Sequence, residues 1–89
     1  MSWEVRVSSK AEKYYRRLPA KVRQEVRKEL VKLSGFDLLL SHPEVKPLLG
    51  RLKGFYRLRV GKYRVVFGLF PGERVIAVVN IRPRGDVYK

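Results

Sequence analysis

The stretch Tyr56-Arg57-Leu58-Arg59-Val60-Gly61-Lys62-Tyr63-Arg64-Val65-Val66-Phe67 decides the fold. Apolar residues recur at every second position on either side of Gly61-Lys62, the period of a half-buried strand. Gly61 stands first in a two-residue connection, where a type II′ hairpin turn needs a positive φ. Pairing outward from that turn sets Val60 against Tyr63, Leu58 against Val65 and Tyr56 against Phe67. Those six side chains share one face, which must be the core. The same register places Arg59 directly opposite Arg64 on the other face, with Arg57 two positions along. Like charges facing each other across a sheet cost up to roughly 1 kcal/mol relative to a neutral pair. Selection for stability alone would put Glu or Thr there. Guanidinium forks each match two phosphate oxygens, so three of them on one face make a phosphate cradle. The plainer alternative is a solvated face that gathers arginines by chance in a basic protein.

Beyond the hairpin, Pro71-Gly72-Glu73 marks a turn, and Val75–Ile81 is apolar on both faces, as a central strand is. Whether Arg82 joins the arginine face depends on the connection at 70–75. A three-residue loop pairing Phe70 with Arg74 brings it there, and a four-residue loop sends it to the core side. Upstream, Trp3-Glu4-Val5-Arg6-Val7 alternates as a first strand with Trp3, Val5 and Val7 inward. Ser8 or Ser9 suits an N-cap, and Ser9 with Glu12 has capping-box spacing. A helix then runs to about Leu18, with Pro19 ending it or opening the next. Val22, Val26, Leu30 and Leu33 recur at helical spacing until Ser34-Gly35. Residues 36–49 carry apolar side chains without clear period, and read as a turn of helix and a loop returning to the sheet. The order β-α-α-β-β-β predicts one α+β domain over residues 1–89, with two N-terminal antiparallel helices packed on one face of an antiparallel sheet.

Charge points to the partner. Twenty-one Lys and Arg oppose eight Asp and Glu, a net charge of +13 on 89 residues. Residues 1–44 hold ten basic and six acidic side chains, net +4, and residues 45–89 hold eleven and two, net +9. Self-repulsion of this size is relieved by a polyanion, and the C-terminal half is where it should bind. No cysteine is present, which rules out disulfides and thiolate metal sites, and one histidine cannot build a histidine-rich zinc centre. No metal or cofactor is expected. The sequence holds no apolar run near the roughly 18 residues of a membrane span, and its start lacks signal-peptide character, so we expect a cytoplasmic protein.

Familiar proton-transfer groups are scarce. Glu73 and Asp86 are the carboxylates of the C-terminal half, and neither alternates convincingly onto the arginine face. His42 stands alone in the middle segment, where a histidine is more often a surface or packing residue. No serine has a histidine partner for a triad. Phenols are left. Tyr88 follows Arg84 by four residues, and nearby cations favour phenolate over the usual tyrosine pKa of ~10. A terminal tyrosine is otherwise usually a packing residue.

Taken together, Leu52-Lys53-Gly54, the hairpin from Tyr56 to Phe67, Ile81-Arg82-Pro83-Arg84 and Tyr88 resemble the RelE toxins of the RelE/ParE superfamily. The ending Arg-Pro-Arg-Gly-x-x-Tyr-Lys is closest to the archaeal branch. Tyr14, Leu18-Pro19 and the Val22–Leu33 helix fit the same layout. The resemblance implies a toxin of a type II toxin–antitoxin system: a ribosome-dependent endoribonuclease that cuts mRNA in the ribosomal A site without metal. It also implies an acidic RelB-like antitoxin, held in a heteromeric complex. The family's two hairpin lysines fall on Arg57 and Arg59, its strand arginine on Arg64, its later arginine on Arg82 and its catalytic tyrosine on Tyr88. Lys53, Lys62, Arg84 and Lys89 are further RNA-binding candidates. Arginine at 57 and 59 departs from the family: it holds phosphate well but yields a proton far less readily than lysine. The alternatives are a ParE-like inhibitor of DNA gyrase, whose relatives generally lack this arginine and tyrosine set, and a non-catalytic RNA-binding module. Phe36, Leu38–Leu40, Val45, Leu48 and Leu49 either close the core beneath the helices or receive an amphipathic antitoxin segment.

Overall fold

A computed structural model describes residues 3–36 and 39–83. Five strands form one sheet in the order β1-β5-β4-β3-β2: β1 Glu4–Val7, β2 Val45–Pro47, β3 Tyr56–Val60, β4 Tyr63–Phe70 and β5 Val75–Pro83. Two helices, α1 Ser9–Arg17 and α2 Ala20–Ser34, intervene between β1 and β2. Strands β2 to β5 are antiparallel neighbours, whereas β1 runs parallel to β5, so the sheet is mixed rather than wholly antiparallel. Its parallel pairing follows from chain order, since the helices carry the chain from one sheet edge to the other. Strand β5, apolar on both faces, lies inside the sheet between β1 and β4 as its composition requires.

Ser8 starts α1. Its extended backbone and its hydroxyl, which accepts the Ala11 N–H at 3.1 Å, make it the N-cap. Ser9 is already helical, so the Ser9–Glu12 capping box does not form, and Glu12 pairs with Arg16 at 3.2 Å instead. Ser8 also fastens the helix beside β5, with its N–H on Val78 O at 2.9 Å and its hydroxyl on Val79 O at 3.4 Å. Pro19 then caps α2, and Arg23 closes the junction by donating to Leu18 O at 2.8 Å and Arg16 O at 3.3 Å. A guanidinium so used satisfies carbonyls at the end of α1 that have no partner within the helix. Arg23 is thereby structural.

Ala11, Leu18, Val26, Leu30 and Leu33 from the helices meet Leu58, Val60, Val65, Phe67, Ile76, Val78 and Ile81 from the sheet in one core. Trp3 and Val5 pack against it, but Val7 is 47% exposed rather than inward. In the middle segment, Leu39–Ser41 is a single 3₁₀ turn, and Leu39, Val45 and Leu48 are buried. Residues 45–47, expected as loop, instead form the edge strand β2, pairing Val45 with Leu58 and Pro47 with Tyr56. His42 is a packing residue: it is 8% exposed, its ring lies 4.8 Å from that of Phe36, and its Nδ1 accepts the Glu44 N–H at 3.0 Å.

The hairpin register is the expected one at every position, from Val60 opposite Tyr63 to Tyr56 opposite Phe67. Gly61 has φ 56°, and Lys62 is not left-handed, which is the type II′ pattern. Phe67 is fully buried at the centre of the core. Phe67→Ala is expected to cost about 3–5 kcal/mol, read as a lowered urea midpoint. An unchanged midpoint would mean that the hairpin's apolar face is not the core face.

Candidate nucleic-acid interface

The turn between β4 and β5 has four residues, Pro71 to Arg74, with Phe70 opposite Val75. By simple alternation that length sends Arg82 to the core side. It does not, because β5 bulges. Phe67 pairs with Val78 but Val66 pairs with Asn80, so Val79 is an extra residue and the register beyond it moves by one. Before the bulge Ile76 and Val78 face the core; after it Ile81 does, and Arg82 comes opposite Arg64. The turn holds its own compensation, since Arg74 takes the left-handed φ of 53° and stacks its guanidinium 5.0 Å from the Trp3 ring centre.

Arg59, Arg64 and Arg82 therefore form one row across three adjacent strands. Strand spacing of about 4.8 Å keeps the three backbones within roughly 10 Å. Arg57 lies two positions along β3, opposite Val66 on one side and Lys46 of β2 on the other. Glu44 organises this edge through its carbonyl oxygen, which accepts Arg57 Nη1 and the Arg59 N–H, each at 3.0 Å. Arg59 is exposed, and Arg57 and Arg64 are half-buried. At the β5 end, Arg82 Nη1 donates to the Tyr14 hydroxyl at 2.8 Å, and its guanidinium carbon sits 5.0 Å from the Tyr14 ring centre. A cation on a ring face with a hydrogen bond to the same side chain is held in both position and orientation.

Among the described residues, the ion pairs do not involve Arg57, Arg59 or Arg82. Glu4 pairs with Arg6, Glu12 with Arg16 and Glu29 with Lys32. The Arg6 guanidinium, by hydrogen bond and by charge, holds the Glu4 carboxyl below the usual carboxylate range. That pair neutralises charge at the β1 edge. No group of metal-ligating side chains occurs among the described residues.

Of the expected site residues, Arg57, Arg59, Arg64 and Arg82 come together. Lys62 is at the hairpin tip, and Lys53 follows the 3₁₀ turn Gly50–Leu52, both exposed. Arg84, Tyr88 and Lys89 lie outside the described residues. Lys46 and Tyr14 are additions. Lys46 escaped notice because three residues containing a proline do not announce a strand. Nothing in the local pattern around Tyr14 ties it to Arg82, 68 residues away.

Comparison with known proteins gives a family and a fold. Residues 5–88 match the family described as ParE toxin of type II toxin-antitoxin system, parDE. No curated protein sequence matches. Solved structures match over nearly the whole chain. The archaeal RelE–RelB complex from Pyrococcus horikoshii OT3 aligns with a TM-score of 0.78 at 25% identity, covering 97% of this chain and 99% of that one. The intact E. coli RelBE toxin–antitoxin complex gives 0.73 at 19%, over 92% and 96%. The RelB–RelE complex from Methanococcus jannaschii gives 0.72 at 18%, over 93% and 94%. The last two likenesses are of fold alone.

The row has a measurable energetic signature. Arg59→Thr removes one member of a facing like-charged pair, and should raise stability by up to about 1 kcal/mol. The same change should weaken binding of a short single-stranded RNA and flatten its salt dependence by about 0.7 log units per decade of salt. Chemical denaturation and a salt titration check the two halves. Lower stability together with unchanged RNA affinity would remove the row from any anion-binding role.

Proposed function

The chain belongs to the ParE toxin family of type II toxin–antitoxin systems, in its RelE-type form, and from that premise we propose that it is a ribosome-dependent endoribonuclease cutting mRNA in the A site. The observation that carries this reading is the row Arg59, Arg64, Arg82 with Arg57 beside it. Four guanidiniums gathered from three strands suit one phosphodiester.

The reaction is transphosphorylation. The RNA 2′-oxygen attacks the adjacent phosphorus while its proton passes to a general base. The P–O5′ bond breaks, and the departing oxygen takes up a proton to become a 5′-hydroxyl, leaving a 2′,3′-cyclic phosphate. Arg57, Arg59 and Arg64 stabilise negative charge growing on the phosphorane oxygens, the electrostatic contribution that is usually largest in such sites. Arg82 neutralises the leaving oxygen. Arginine is not a proton donor near neutral pH, so the base is assigned to Tyr88, on its match to the family pattern. Lys53, Lys62, Arg84 and Lys89 hold the flanking backbone. Orientation on the ribosome offsets weak base chemistry, because alignment of the reacting atoms alone supplies several powers of ten.

We assign the protein an acidic antitoxin as partner, acting in the cytoplasm. The solved relatives are toxin–antitoxin complexes by name, and a net charge of +13 calls for an anionic companion. Of the middle-segment residues once weighed as its groove, Leu39, Val45 and Leu48 are core and Leu49 is 83% exposed. A better receptor for an amphipathic segment is the apolar cleft of about 440 Å³ between β1, α1 and α2, where Val31 is 63% exposed.

The family's ParE name favours a second reading, inhibition of DNA gyrase. A translating lysate separates the two. Message cut within codons, with new 5′-hydroxyl ends, is the expected result; intact message with blocked supercoiling would replace the first reading by the second. Within the first, Tyr88→Phe should slow cleavage by about 10²-fold or more while ribosome binding stays close to wild type. Cleavage at the wild-type rate would take Tyr88 out of the mechanism.

A further inference from the structure

Arg82 borders more than the arginine row. On its other side lies a cleft of about 410 Å³ where α1 meets the ends of β4 and β5. Small-ligand sites span about 300–1,000 Å³, so the size suits a nucleotide. Two phenols, Tyr14 and Tyr63, and two guanidinium side chains, Arg17 and Arg82, line it over an apolar floor that includes Leu18 and Ile81. Both tyrosines are half-exposed, Arg17 is exposed and Arg82 is half-buried. Among the described residues, no acidic side chain lines this cleft, whereas Glu12 lines the larger apolar one.

We propose that this cleft is a subsite for the nucleotide next to the scissile phosphodiester, its base stacked on a tyrosine ring and its phosphate held by Arg17 and Arg82. The inference rests on the nuclease reading and deepens it. Three observations bear on it. First, aromatic faces beside cations are the combination that holds single-stranded nucleic acid without reading sequence. Second, Arg82 is already oriented by Tyr14, at 2.8 Å from its hydroxyl and 5.0 Å from its ring centre. One N–H is used there, and a guanidinium has five, so donors remain for phosphate. Third, Arg82 is opposite Arg64 in the sheet and also lines the cleft, so this one side chain borders both the row and the cleft at the end of the sheet. Tyr14 is thus a positioning residue for Arg82, and Tyr63 a stacking platform.

Stacking has an optical signature that a merely structural role does not share. The cleaved bond is first mapped with unmodified message. Ribosomes are then programmed with message whose cleaved nucleotide is 2′-deoxy, which removes the attacking oxygen, and whose neighbours carry 2-aminopurine one position at a time. The full-length wild-type protein should quench fluorescence at one position adjoining the cleaved bond. Tyr63→Leu and Tyr14→Leu should lose that quench, with binding of the message weakened about tenfold. Tyr63→Phe, which keeps the ring, should retain it. Tyr14→Phe should keep the quench but slow cleavage, because Arg82 loses its hydroxyl acceptor. Thermal melts establish that each variant is folded.

Equal quenching by wild type and both folded leucine variants, with cleavage intact, would overturn the subsite and leave the nuclease reading standing. Loss of quenching in a folded Tyr63→Phe would show that the ring is not what holds the base, and would overturn it too. Failure of the wild type to cut any message would remove the nuclease reading and the subsite with it.

Discussion

The two-residue turn at Gly61-Lys62 is the constraint on which the rest of the molecule depends. Side chains alternate along a strand, so moving the hairpin by one residue would exchange its two faces completely. The observed register buries Leu58, Val60, Val65 and Phe67 and leaves Arg57, Arg59 and Arg64 on the opposite side. Core and site are therefore one decision. Burial of the apolar face fixes the arginines opposite one another, and hydrophobic free energy holds together charges that would otherwise separate. A small domain needs few such decisions, but it cannot reverse one locally.

The bulge at Val79 extends that logic to the neighbouring strand. A four-residue turn and an unbroken β5 would have put Arg82 among Leu and Val side chains, an expensive place for a guanidinium without a buried partner. One extra residue on β5 resolves the conflict. It keeps Ile76 and Val78 in the core on one side, Ile81 in the core on the other, and brings Arg82 opposite Arg64. Bulges re-aim side chains at sheet sites in just this way. Among the described residues, the charged one that this shift re-aims is the arginine that also touches α1.

Strongly periodic elements were legible from sequence, and the hairpin partners were correct at all positions because a short turn leaves no freedom in pairing. Both helices were equally plain, since Val26, Leu30 and Leu33 repeat at helical spacing over a long stretch. What stayed hidden was non-local. Nothing near Val45-Lys46-Pro47 shows that β3 has an unpaired edge waiting for it. The bulge leaves no mark in an apolar run where every residue suits a strand. For the same reason the sequence left Arg82 undecided between two faces, and nothing near Tyr14 tied it to that arginine. The resemblance to a toxin family carried the site beyond what alternation supplied, and the matches over residues 5–88 place the chain in that family.

The arginines at 57 and 59 show how the site divides its labour. Lysine at such positions combines charge with a proton that can be given up; arginine retains the charge and gives up the proton function. On the proposed function, a row of guanidiniums would be specialised for holding and neutralising phosphate, and proton movement would come from a phenol or from the RNA's own surroundings. Specialisation has a structural consequence as well. Arg59 faces Arg64 across the hairpin, and like charges so placed repel. On the proposed function, an anion laid across the row would lower that repulsion, whether it were the backbone of a message or the carboxylates of an inhibitor. Under that proposal both partners would draw on the same electrostatic free energy and would compete without any change of shape. Neutralising the toxin then requires only a competitor with enough negative charge and an apolar anchor to outlast the RNA.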